Sequence, residues 1–153
     1  MPAPNPDLPP FDPARLAPVR RALLSVSDKS RLIDQAKAQF GFCLLIDAHS
    51  IDAVVPRFFE GRLSDISVGT YDGNSCGNEL QEALSSALQK QKDYSHVIND
   101  RFKGGFITRH YGQPQDNIHA IQLEHAKDIY TDNKRQQLTI FWQQVIAALL
   151  VKV

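Results

Sequence analysis

Apolar positions recur along this chain at several spacings, and each spacing predicts an element. Leu32, Ile33 and Ala36 share one face of a helix that starts at Asp28 or Ser30, either of which offers a capping oxygen. That helix runs through Phe40 and stops at Gly41. The apolar run over 42–48 predicts a buried strand, apolar on both faces as in a central strand covered from both sides. A loop through Pro56 and Gly61 follows, then a second strand over 65–70 and a turn rich in Gly, Asn and Asp over 71–77. Leu80, Ala83, Leu84, Ala87 and Leu88 form one stripe and predict an amphipathic helix over 78–92. Strands are predicted over 94–98, 103–110 and 118–124. Leu138, Trp142, Val145 and Leu149 recur at i, i+4, i+7 and i+11, so the last helix, over 133–153, carries an apolar face that must dock.

Strands alternating with helices predict an α/β layered architecture. Sites in such sheets sit at the carboxyl ends of strands. His49, Arg109 with His110, and Glu124 all fall at predicted carboxyl ends. The first 18 residues stand apart, because most of the chain's 9 prolines crowd there. Proline fixes φ and removes a donor, which predicts an extended or disordered arm. Residues 20–26 predict a short helix or strand, and no internal repeat is visible.

Composition narrows the class without naming a partner. A chain of 153 residues with formal net charge +0 can bury one core, and it offers no electrostatic footprint for nucleic acid or an anionic membrane. No apolar run reaches the length of a membrane span, and no signal-peptide pattern is read at the N-terminus, so a cytoplasmic protein is expected. Cys43 and Cys76 have no metal-like spacing and are expected to be reduced thiols.

Candidate chemistry concentrates in a few residues. His49 follows the apolar strand in Asp47-Ala48-His49-Ser50, where an imidazole could ligate zinc or serve as a hydrogen-bonded structural group. Residues 1–48 contain no histidine, so ligands that would precede it are missing. Glu124 ends Ala120-Ile121-Gln122-Leu123, where an apolar setting raises a carboxyl pKa toward that of a general base. The alternative is an acid stabilised by the dipole of a following helix. Arg109 could clamp a carboxylate bidentately or form a surface ion pair, and Arg101 is a second anion contact. His110, His119 and His125 invite a metal-cluster reading, but no pair has a recognised ligand spacing. Asp72, Asn74 and Ser75 belong to a turn rather than a calcium loop.

Four blocks together resemble the N-formylglutamate amidohydrolase family. They are Leu45-Ile46-Asp47-Ala48-His49-Ser50, Asp65-Ile66-Ser67-Val68-Gly69, Gly104-Gly105-Phe106-Ile107-Thr108-Arg109-His110-Tyr111-Gly112 and His119-Ala120-Ile121-Gln122-Leu123-Glu124. The likeness covers about 36–153, corresponds to the later part of a family member, and leaves 19–35 as a junction segment. It implies a mixed sheet with helices on both faces, similar to zinc carboxypeptidases and N-terminally incomplete. It implies zinc-dependent hydrolysis of N-formyl-L-glutamate to formate and L-glutamate, in histidine degradation. By the same resemblance His49 is a zinc ligand, Glu124 activates the metal-bound water, and Arg109 and Arg101 contact the carboxylates of a small N-acyl amino acid. The family's early His-Ser-Gly motif and its acidic ligand have no counterpart here, so the alternative is a non-catalytic remnant that binds a carboxylate ligand. Residues 20–30, Arg20-Arg21-Ala22-Leu23-Leu24-Ser25-Val26-Ser27-Asp28-Lys29-Ser30, weakly resemble the start of the bifunctional purine-synthesis formyltransferase and inosinate cyclohydrolase.

Overall fold

A computed structural model describes residues 29–151. The expected proline-rich arm and the segment over 20–26 lie outside the described residues. The elements in order are α1 (Ser30–Phe40), β1 (Cys43–Ile51), β2 (Ile66–Gly69), α2 (Asn78–Lys90), β3 (His96–Ile98), α3 (Phe106–Tyr111), β4 (Ile118–Ala126) and α4 (Asp132–Leu149). The strands lie in the order β1-β4-β2-β3. β1 runs parallel to β4, β2 runs antiparallel to β4, and β3 runs parallel to β2. The sheet is therefore mixed, and helices cover both of its faces.

The period-2 alternation of strand side chains sorts the sheet into two faces. Ile66 and Val68 of β2 and Ile121 and Leu123 of β4 point to one side. There they meet Leu80, Leu84 and Leu88 of α2 and Leu138, Val145 and Leu149 of α4 in a single buried cluster. The stripe anticipated for the last helix is the surface that docks here. Ser67 of β2 and Gln122 and Glu124 of β4 point to the other side and are buried despite being polar. That second face is covered in part by α3.

Four expectations are corrected. First, 103–110 is not a strand. Gly104 takes φ +129 and turns the chain, and Gly105 caps a helix through Arg109 N–H donating to its carbonyl at 3.1 Å. Arg109 and His110 thus sit on a helix, not at a strand end. Second, β1 is not a central strand. It is outermost among the described strands, and Ala48, His49 and Ser50 are exposed. Third, β1 and β4 pair without interruption from Cys43 opposite Ile118 to Ile51 opposite Ala126, so His49 and Glu124 lie within their strands. Fourth, the N-cap position of α1 is Lys29, so Ser30 is the first helical residue rather than the cap; Asp28, the other anticipated cap, lies outside the described residues. Its C-terminus follows the sequence reading, because Gly41 adopts φ 79 and returns its N–H to Lys37.

Candidate functional site

The register assembles a polar row on the face opposite the α2–α4 core. His49 on β1 pairs with Glu124 on β4, which pairs in turn with Ser67 on β2. One step along the sheet, Asp47 pairs with Gln122, and Gln122 pairs with Gly69. Side chains paired this way project to the same face, so two carboxylates, an imidazole, an amide and a hydroxyl occupy neighbouring positions.

His49 Nε2 lies 3.0 Å from Asp47 Oδ2, which orients the half-exposed ring. Glu124 is 7% exposed. Burial pushes its carboxyl above the ordinary value, His49 draws it back, and Asp47 adds to the rise. A carboxyl held high this way exchanges protons closer to neutral pH than an exposed one.

Glycines set how closely α3 can approach. A Cβ on Gly69 would lie 2.5 Å from the Gly104 nitrogen, so the 102–104 segment rests directly on β2. Gln122 Oε1 accepts the Gly105 N–H, tying the start of α3 to the polar face. Arg109 Nε then donates to the Gly104 carbonyl at 2.7 Å, and its guanidinium sits 5.4 Å from the Tyr71 ring centroid. Both terminal NH₂ groups remain available for an oxyanion. Arg101 stands 5.0 Å from the Phe59 ring centroid, at the edge of a cavity of about 110 Å³ that Ser67 also lines. Because Ser67 pairs with Glu124, that cavity adjoins the polar row.

The remaining histidines are dispersed. His110 stacks on Phe106, and His119 accepts the Gly77 N–H at 3.2 Å near the opposite end of β4. His125 faces the core side, between Trp142 and Tyr130. Among the described residues no group of three or more His, Cys, Asp and Glu side chains could hold a metal ion. A catalytic zinc needs about three protein ligands, so the described residues do not fit a resident zinc. Cys43 and Cys76 are free.

Sequence reasoning singled out His49, Glu124, Arg109 and Arg101, and passed over Ser67 and Gln122 as site members. The signal for Gln122 was available: Ala120, Gln122 and Glu124 share a face at period 2. Ser67 had no such signal, since its place beside Glu124 depends on the antiparallel pairing of β2.

Comparison with known proteins places most of the described stretch. The sequence model of the N-formylglutamate amidohydrolase family matches residues 29–131. N-formylglutamate deformylase of Pseudomonas putida is 49% identical over 102 residues, which is 67% of this chain and 38% of that protein. The Pseudomonas aeruginosa protein of the same name is 52% identical over 98 residues, 64% of this chain and 37% of that protein. The crystal structure of N-formylglutamate amidohydrolase from Ralstonia eutropha JMP134 aligns with a TM-score of 0.61 at 21% identity, over 77% of this chain and 45% of that one. At that identity the alignment speaks for the fold. The chain spans less than two fifths of the length of the curated relatives it matches.

Proposed function

The chain belongs to the N-formylglutamate amidohydrolase family, and we propose that it acts on N-formyl-L-glutamate, adding water to give formate and L-glutamate. The observation that carries this reading is the His49–Glu124–Ser67 row, with the Arg109 and Arg101 elements beside it. A formylated amino diacid presents one amide to attack and two carboxylates to hold. Glu124 is the group of the row suited to take a proton from an attacking water and return it to the departing amine. Arg109, with Nε already engaged by Gly104, offers its two NH₂ groups to one carboxylate, and Arg101 with Ser67 offers donors to the other. The likeness to zinc carboxypeptidases and the zinc ligand role of His49 belong to the same proposal. Because the described residues do not fit a zinc site, no step is assigned to the metal.

Formate release from N-formyl-L-glutamate by the purified chain tests the reading, with Glu124→Gln alongside. Removing a general base costs on the order of 10²–10⁴ in rate, so the variant is expected to lose at least a hundredfold. Release that is unchanged in Glu124→Gln would overturn the assignment of the base.

The shortage of metal donors among the described residues favours a second reading, in which the chain binds a glutamate-like carboxylate without turnover. It expects L-glutamate to raise the melting temperature of the wild type and not of Arg109→Ala, with no formate released. Absence of any shift in the wild type counts against it.

A further inference from the structure

Just past β2 the backbone reverses in a tight turn. The Gly73 N–H donates to the Thr70 carbonyl at 3.0 Å, and the two residues between them, Tyr71 and Asp72, have φ of 52 and 51. Positive φ at both central positions is the type I′ geometry, which Gly, Asn and Asp dominate because an L side chain crowds the backbone there. Asp72 fits that preference, and a bulky aromatic at the first central position does not. The Tyr71 ring does not offset this by joining the core, since the residue is 41% exposed. Backbone in such a region persists only where its surroundings over-determine it, and such places cluster at ligand clamps.

The surroundings of Tyr71 are the segment that carries Arg109. The Tyr71 N–H donates to the Lys103 carbonyl at 2.6 Å. The Tyr71 carbonyl accepts the Asn74 backbone N–H at 3.0 Å and the Asn74 side-chain amide at 2.8 Å. The Lys103 ammonium lies 3.1 Å from the Asp72 carboxylate. One residue on, the Gly104 carbonyl accepts from Arg109 Nε, and the guanidinium lies over the Tyr71 ring.

We propose that Tyr71 is a positioning residue for a ligand carboxylate: its turn holds the ring against one face of the Arg109 guanidinium and leaves both NH₂ groups to grip the carboxylate in the guanidinium plane. The proposal rests on the reading in which Arg109 receives a carboxylate. Two restraints then define the arginine beyond its place on α3. Gly104 fixes Nε, and the aromatic face fixes the plane. A bidentate pair needs the carboxylate aligned with the planar guanidinium fork. A side chain already held in that orientation gives up less freedom on binding than one that must first be ordered. The electron-rich ring face also attracts the cation itself. The aromatic at an unfavourable turn position is thus explained by the ligand rather than by the fold.

Calorimetric titration of L-glutamate into the full chain, with a thermal melt of each unliganded variant, tests the proposal. Tyr71→Asn removes the ring and places at the turn a residue that tolerates positive φ. It is expected to melt at or above the wild-type temperature and to bind about two- to fivefold more weakly, the span of an exposed cation–π contact. Tyr71→Phe keeps the aromatic face and is expected to bind as the wild type does. Tyr71→Asn that melts below the wild type overturns the proposal, because the ring would then be holding the fold. So does Tyr71→Phe that binds as weakly as Tyr71→Asn. Arg109→Ala separates this from the wider reading. Loss of binding in Arg109→Ala with wild-type affinity in Tyr71→Asn overturns the role of Tyr71 alone. Wild-type chain that does not bind L-glutamate, or Arg109→Ala that binds it equally well, overturns the carboxylate reading and the role of Tyr71 with it.

Discussion

His125 sets a measurable acid limit on stability. It is 7% exposed and sits on the core side of β4. The Trp142 indole N–H donates to its Nε2 at 2.9 Å, so the ring is neutral with its proton on Nδ1, directed to the Tyr130 hydroxyl at 2.9 Å. Burial pushes its pKa from the ordinary 6.5 down to about 4. Above pH 6.5 neither folded nor unfolded chain protonates this ring. As pH falls from 6.5 toward about 4, the unfolded chain takes up a proton that the folded chain refuses, so stability is lost across that window and the loss levels off below it. At about 1.36 kcal/mol per unit of pKa, the loss amounts to about 3 kcal/mol.

His119 and Asp65 also have lowered pKa values and act in the same direction, so the effect of His125 must be read as a difference. His125→Phe removes the titration and leaves the Trp142 indole N–H without its acceptor and the Tyr130 hydroxyl without its donor. The unpaired Trp142 indole N–H costs roughly 1–3 kcal/mol near neutral pH. Urea unfolding of both proteins at a series of pH values, followed by circular dichroism, measures the gap between them. The gap is expected to close or reverse on going from neutral pH to about pH 4. A gap that stays constant over that range would refute the reasoning.

Three further outcomes are expected. If Glu124 is the base, the acid limb of the pH profile for formate release lies above the ordinary carboxyl value of 4.5, since activity needs the ionised form and burial raises its pKa; a limb at or below that value speaks against it. Gly69→Ala drives a methyl into the Gly104 backbone, so it either destabilises the fold by about 2 kcal/mol or more or moves the turn that carries Arg109; unaltered melting together with unaltered glutamate binding would contradict the close contact. Leu84→Ala, at a side chain 1% exposed in the core cluster, is expected to cost about 2–5 kcal/mol in urea unfolding, and a loss under 1 kcal/mol would show a looser core.

Much of the fold was legible because its cues are local. Gly41 closes α1, the Leu80–Leu84–Leu88 stripe forms α2, and the Leu138–Val145–Leu149 stripe forms the face of α4 that covers the sheet. Hydrophobic spacing reports which face of a helix is buried without reference to the rest of the chain. The four sequence blocks likewise pointed to the family that the comparisons support.

What those cues could not carry is who stands beside whom. The stretch Phe106–Tyr111 is apolar and aromatic enough for a strand, yet it winds into a helix. Gly104 turns the chain there, and the Gln122 amide, seventeen residues away, receives the Gly105 N–H. The apolar run of β1 suggested a strand covered on both sides, but the sheet order leaves it outermost among the described strands. Composition gives a strand's hydrophobicity, whereas its neighbours are set by packing across the whole sheet. The sequence by itself determined most of the elements and the buried faces of α2 and α4, and it named His49, Glu124, Arg109 and Arg101 as candidates. Only the tertiary structure set His49, Glu124 and Ser67 in one row, turned His125 to the core, and left Asp47 with His49 on the strand outermost among those described. Those placements arise from strand register, a long-range hydrogen-bonding choice that no local window of residues contains.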